Sequence, residues 1–160
     1  MKKILITIII TFGIILPSIA QTSGMKIVTG NPDFKIKITR CEASGKTVVI
    51  DMIWENISSQ DVKIGIYADW DNMTFAWDDE GNKFAGRDIS ASIANGPLKG
   101  LCEDILPAEI PIRVKLKIEN VPESATMFRR IDLTVRCDKW GLDHTKPVRI
   151  TNLPINREGD

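Results

Sequence analysis

The sequence predicts an all-β domain, an antiparallel sandwich of about seven or eight strands, and three observations carry that prediction. Apolar and polar residues alternate at period two in several short runs, most cleanly where Ile110, Ile112, Val114, Leu116 and Ile118 interleave with Pro111, Arg113, Lys115 and Lys117. Clusters of Gly, Asn, Asp and Pro separate these runs at short intervals, as turns do. No ten-residue window sustains a helical period, and no internal repeat occurs.

A leader precedes the domain. Lys2 and Lys3 stand before Ile4 to Leu16, an apolar run of 13 residues interrupted only by Thr7, Thr11 and Gly13. Pro17 ends the run, and Ser18 and Ala20 place small residues at the cleavage positions before Gln21. This is the pattern of a secretory signal peptide over residues 1–20, and the run is shorter than the roughly 20 residues that span a bilayer. The expected product is exported to the periplasm or the extracellular medium, with no integral membrane segment after cleavage. The whole chain has 160 residues and balances 21 basic against 21 acidic ones. Without Lys2 and Lys3 the net charge is −2, so the cation excess that neutralises phosphates is missing and no nucleic-acid partner is expected.

Residues 21–33 (QTSGMKIVTGNPD) read as a linker, with room for one short edge strand at Lys26 to Val28, and the domain is expected over residues 34–156. Phe34, Ile36 and Ile38 alternate with Lys35, Lys37 and Thr39, the mark of a strand with one buried face. Gly45 and Lys46 turn the chain into Thr47 to Asn56, apolar on both sides and therefore central. Residues 56–61 form a polar turn, and Val62, Ile64, Ile66 and Ala68 give the next alternation. Met73 to Asp78 and Lys83 to Ile89 read as two short strands around the Asp78 to Asn82 turn, where Gly81 supplies positive φ. Residues 91–109 are the longest weakly patterned stretch and are expected to be a loop, which at that length is commonly functional or mobile. After the 110–118 strand, Asn120 to Ser124 make a corner. Ile131, Leu133, Val135 and Cys137 then form an inward face opposite Arg130, Asp132, Thr134 and Arg136. Residues 138–147 are a second loop, 148–152 a last short strand, and 157–160 a polar tail. This spacing points to a sandwich of the immunoglobulin-like type, with a closed barrel as the alternative.

The run TVVIDMIWEN, the DDEGN turn, LPAEIP leading into an alternating strand, NVPESA at the corner and the closing NLPI resemble small secreted bacterial proteins with a telokin-like, immunoglobulin-like domain. The resemblance runs from about Phe34 to Ile155 and implies the fold and an extracytoplasmic location. It carries no catalytic residue onto this chain.

The chemistry-bearing residues are sparse. His144 is the only histidine, so any nucleophilic triad must use it, and no G-x-S-x-G elbow is present. It reads as a solvated loop residue. No C-x-x-C or H-x-x-x-H spacing suits zinc. Asp69, Asp71, Asn72, Asp78, Asp79 and Glu80 are dense enough for calcium but lack the D-x-D-x-D-G loop, and read as the ends and turn of a hairpin. No catalytic residue, metal or cofactor is therefore expected.

Aromatic residues are concentrated: Trp54, Tyr67, Trp70, Phe75, Trp77 and Phe84 lie within 31 residues, and Trp140 stands beside Gly141. Trp54 shares parity with Val48, Ile50 and Met52 and reads as core. Phe75 and Trp77 share a face whose favoured destination is also the core, opposite Thr74, Ala76 and Asp78. Trp70, Trp77 and Trp140 are the candidate ligand-contacting residues. Of the cysteines, Cys137 follows the inward phase of its strand, Cys41 lies out of phase with Phe34, Ile36 and Ile38, and Cys102 lies in the long loop. Strand-end placement favours a Cys41–Cys137 disulfide, although their phases count against it. The function expected is that of a non-enzymatic binding module for a protein or glycan partner, the alternative being a carbohydrate-binding module built on the exposed tryptophans.

Overall fold

Alternating sequence becomes two facing sheets in this computed structural model, which describes residues 24–69, 73–138 and 145–157. The strands in chain order are β1 (Lys26–Val28), β2 (Phe34–Ser44), β3 (Thr47–Asn56), β4 (Val62–Tyr67), β5 (Phe75–Asp78) and β6 (Lys83–Ala85). They continue with β7 (Ile89–Ile93), β8 (Leu101–Leu106), β9 (Ile112–Ile118), β10 (Met127–Cys137), β11 (Thr145–Pro154) and β12 (Asn156–Arg157). One sheet has the order β12-β2-β3-β9-β7, and the other β1-β11-β10-β4-β8. Every pair is antiparallel except β12 with β2. The architecture is the immunoglobulin-like sandwich that the strand spacing predicts. The segments outnumber the expected seven or eight because β1, β6 and β12 are pieces of three residues or fewer and β8 lies in the stretch expected to be loop.

The core lies between the sheets. Val48, Ile50, Met52 and Trp54 of β3 pair with Ile118, Leu116, Val114 and Ile112 of β9, and all but Ile112 are buried. From the other sheet Ile131, Leu133, Val135 and Cys137 face them, fully buried as their phase predicts. Each such Leu or Ile contributes roughly 1.5–3 kcal/mol of burial, which sets the stability of the whole domain. Phe84 and Phe128 close one end, edge to face at 6.1 Å.

The apparent misphasing of Cys41 has a local cause. Ile38 pairs with Met52 and Arg40 with Asp51, so Thr39 is an extra residue in β2, and its hydroxyl donates to the Asp51 carbonyl at 3.0 Å. This bulge shifts the parity by one. Cys41 and Ala43 therefore turn inward opposite Ile50 and Val48.

β10 carries two strands end to end along one edge, β5 beside Phe128 to Asp132 and β4 beside Thr134 to Cys137. Two threonines satisfy the break. The Thr134 N–H donates to the Thr74 hydroxyl at 3.1 Å, and that hydroxyl donates to the Tyr67 carbonyl. The Thr134 hydroxyl donates to the Met73 carbonyl. Buried Asn56 similarly organises the 56–61 turn, donating to the Gln60 and Leu106 carbonyls and accepting from Ser58.

Residues 91–109 are not one loop. Gly96 N–H donates to the Ile93 carbonyl across Ala94 and Asn95, with φ of 50° and 62°, making a tight turn of the I′ kind after β7. Lys99 then bonds back to Ala91, and the chain crosses to the other sheet as β8. Arg157, expected to open the polar tail, continues β12 and donates to the Pro122, Ala125 and Gly45 carbonyls. Among the described residues no helix is long and apolar enough to cross a membrane.

Candidate functional site

The phase of β5 decides where its aromatic rings point. Asp78 accepts from the Glu80 and Asn82 N–H groups and from the Asn82 side chain, which fixes it inside the turn. Thr74 is likewise held inward at the β4–β5 junction. Thr74, Ala76 and Asp78 are buried, so Phe75 and Trp77 face outward and are half-buried. The expectation that these two rings enter the core is overturned: fixed hydrogen bonds to polar neighbours outweigh the burial they would gain.

Their surroundings come from the register of the sheet. Trp77 pairs with Lys83 on one side and Arg130 on the other, and Arg130 with Thr151, which pairs with Lys26. In the next row Phe75 pairs with Asp132, Asp132 with Arg149, and Arg149 with Val28. The two rings have centroids 5.6 Å apart and tilt by 36°. Lys83 Nζ lies 4.1 Å from the Phe75 centroid and 5.8 Å from that of Trp77, and the Arg130 guanidinium lies 5.5 Å from Trp77. These are cation–π distances.

Asp132 is the electrostatic centre of the face. Its carboxylate, 12% exposed, accepts from Arg130 on one side and from Arg149 Nε at 2.7 Å on the other. Burial alone would raise its pKa, but the two guanidinium hydrogen bonds and charges outweigh that and hold it below the ordinary carboxylate value. Beside it, Met73, Phe75, Thr134, Lys146 and Pro147 complete a cavity of about 250 Å³. The face thus presents Lys26, Lys83, Arg130 and Arg149 around this carboxylate and two aromatic rings.

Of the predicted contact residues, Trp77 lies on this face; Trp70 and Trp140 lie outside the described residues, as does His144. The cations and Asp132 come from four strands, and sequence reasoning did not gather them. The outward phase of Arg130 and Asp132 was visible, but the register joining them to β5, β6 and β11 was not.

The disulfide expected between Cys41 and Cys137 is not present; all three cysteines are thiols. Cys41 belongs to the β2 sheet and Cys137 to the β4 sheet, each packed into apolar core. Cys102 and Cys137 share a sheet but are separated by β4, about 10 Å at ordinary strand spacing, beyond disulfide reach. Burial, with Glu42 adding to it, pushes the Cys41 thiol up to about 12. Burial and Asp104 push Cys102 up to about 11 against a backbone hydrogen bond at Ile66 and the charge of Lys99. Neither is a ready nucleophile at neutral pH.

The acidic cluster is also accounted for locally. Asp78 is taken by its turn, and Asp79 accepts from the Thr126 and Met127 N–H groups and the Thr126 hydroxyl. Asp71 and Asn72 lie outside the described residues, among which no three His, Cys, Asp or Glu gather to hold a metal ion.

No protein-family model matches the chain, and no curated protein matches it. Among solved structures it is similar to the ASH/PapD-like domain 7 of human CEP192, with 16% identity and a TM-score of 0.41 over 81% of this chain and 89% of that one. It is similar to the GAE domain of GGA2p from Saccharomyces cerevisiae, with 16% identity and a TM-score of 0.39 over 81% and 97%. A family 123 glycoside hydrolase from Clostridium perfringens matches at 10% identity and a TM-score of 0.41, over 72% of this chain and only 21% of that enzyme. These are loose likenesses of sandwich architecture and bear on no ligand or reaction.

Proposed function

We propose that this protein is a non-enzymatic interaction module, exported and of the telokin-like secreted group, that recognises an acidic protein surface through the outer face around Trp77 and Arg130. The observation that carries the reading is the placement of Trp77 against Arg130 on solvent-facing β5 and β10. Trp and Arg are the residue types that dominate interface hot spots, and a ring pre-stacked on a guanidinium loses little side-chain entropy on binding. The four cations surround one carboxylate whose oxygens are already taken by two of them, so the face favours a negative partner. Export rests on the leader at residues 1–20. A glycan platform asks for open, roughly coplanar rings, whereas Trp77 is tilted 36° from Phe75 and has Arg130 over it.

The test is differential capture from envelope extract and culture fluid with the wild type, Trp77→Ala, Arg130→Glu and, as an opposite-face control, Lys117→Glu. A partner held by the wild type and the control, lost with Arg130→Glu and released by raised salt, is the expected result. Equal capture by all four proteins would overturn the assignment of this face. Binding on a glycan array that depends on Trp77 would replace the protein partner with a sugar.

A further inference from the structure

The opposite face of the sandwich carries a second concavity, which the function above does not use. β9 and β3 form its floor, β2 one wall, and the chain after β7 the other. That second wall is built with some effort. Ala94 holds a φ of 50°, a left-handed conformation that a non-glycine residue adopts at a cost. It is pinned there by its own N–H, which donates to the Arg113 carbonyl at 2.9 Å, by Gly96 bonding to Ile93, and by the paired bonds of Ala91 with Lys99 at 2.8 Å. The result is a fixed turn that sets Asn95, Gly96 and Leu98 beside Arg113 and Lys115. Leu98 remains 39% exposed, one of the few large apolar side chains so exposed. The concavity has a volume of about 720 Å³, within the range of small-molecule sites.

Its charges are unbalanced. Arg40, Arg113 and Lys115 line it with one acid, Asp51. Asp51 is already engaged, with Oδ2 2.6 Å from Arg40 Nε and Oδ1 3.8 Å from Lys115. Arg40 also reaches Glu42. Among the described residues no carboxylate pairs with Arg113. A guanidinium left uncompensated in a cleft is a two-pronged donor for a carboxylate or a phosphate. Ile53 and Leu98 add apolar surface within the same cleft.

We propose that this cleft is a binding site for a small anionic amphiphile, its carboxylate or phosphate head on Arg113 and Lys115 and its apolar chain against Leu98 and Ile53. The site and the Trp77 face lie on opposite sheets, so either can fail alone.

The test uses the whole exported chain and four probes below their micelle concentrations: octyl phosphate, octanoate, octanol and octyltrimethylammonium. Backbone amide NMR titration is expected to show saturable shifts at Asn95, Leu98, Arg113 and Lys115 with either anion, not with the alcohol or the cation. The comparison of octyl phosphate with octanoate identifies the head group. Arg113→Gln, at an exposed position, is expected to weaken binding about tenfold or more while melting as the wild type does. Leu98→Ala should weaken it without altering its salt dependence. Shifts that map elsewhere, equal binding of the cationic probe, unchanged affinity in Arg113→Gln, or inorganic phosphate binding as tightly as octyl phosphate would each overturn the proposal.

Discussion

Replacing Asp132 by asparagine removes the charge that holds Arg130 and Arg149 together on the Trp77 face. The carboxylate is 12% exposed, while the two arginines are 46% and 44% exposed. A hydrogen bond to a charged group contributes about 1.5–3 kcal/mol when sheltered, and an exposed ion pair about 0.2–1 kcal/mol. With the acceptor sheltered and both donors half in water, the pairs together contribute about 1–2 kcal/mol, and the asparagine amide would keep an acceptor oxygen without the charge. For a domain of this size the melting temperature should fall by about 3–8 °C near pH 7. The sign with pH follows from linkage. Asp132 has its folded pKa depressed, so its contribution is complete above the unfolded value of about 3.9 and disappears as pH falls through the folded value. Thermal unfolding of wild type and Asp132→Asn, followed by circular dichroism from about pH 7 down to about pH 2.5, should show a gap that closes at the acid end. A gap independent of pH, or none near neutrality, would refute the reasoning that charge on Asp132 organises this face.

Two further substitutions and two thiol measurements probe the fold. Leu133→Ala, fully buried on β10, should cost about 2–5 kcal/mol, read as a lower urea midpoint at unchanged slope. Gly100→Ala places a Cβ 2.5 Å from Asp69 Cβ, where the Gly100 carbonyl already accepts from the Ala68 and Asp69 N–H groups. Neither backbone can yield without losing those bonds, so a loss of about 1–3 kcal/mol is expected, and a variant as stable as wild type would show the approach to be looser. Thiol titration in denaturant should count three thiols per chain, and a count of one would restore a disulfide. In the native state Cys102 should alkylate slowly at neutral pH and faster as pH rises toward about 11, because only the thiolate reacts.

Period-two alternation was enough to read β9, the inner faces of β3 and β10 and the burial of Trp54, because those strands are long and lie in the middle of their sheets. It failed where one residue or one neighbour decides. A single extra residue at Thr39 reversed the parity of Cys41, and nothing in FKIKITRC marks the bulge. β8 was hidden because LCEDIL lies at a sheet edge with Glu103, Asp104 and Ile105 all exposed, so it carries no alternation. The cleft under Asn95 and Leu98 was hidden with it, since that turn is defined by backbone bonds to Ala91, Ile93 and Arg113.

The face of Trp77 is the instructive case. Parity says that Phe75 and Trp77 lie together opposite Thr74, Ala76 and Asp78, but in a four-residue strand it cannot say which side is wet. Hydrophobicity favours the rings inside, by a few kcal/mol at most. Against this stand the three hydrogen bonds that Asp78 accepts in its turn and the two that Thr74 makes with the Tyr67 carbonyl and the buried Thr134 N–H, all lost if the strand is inverted. At about 1–3 kcal/mol for each orphaned group, the polar side wins. The signal that carried this was present in the sequence as Asp78 at the head of D-D-E-G-N: an aspartate that caps its own turn from below commits the next residue back along the strand to the opposite face. Trp77 is on the surface because Asp78 is not.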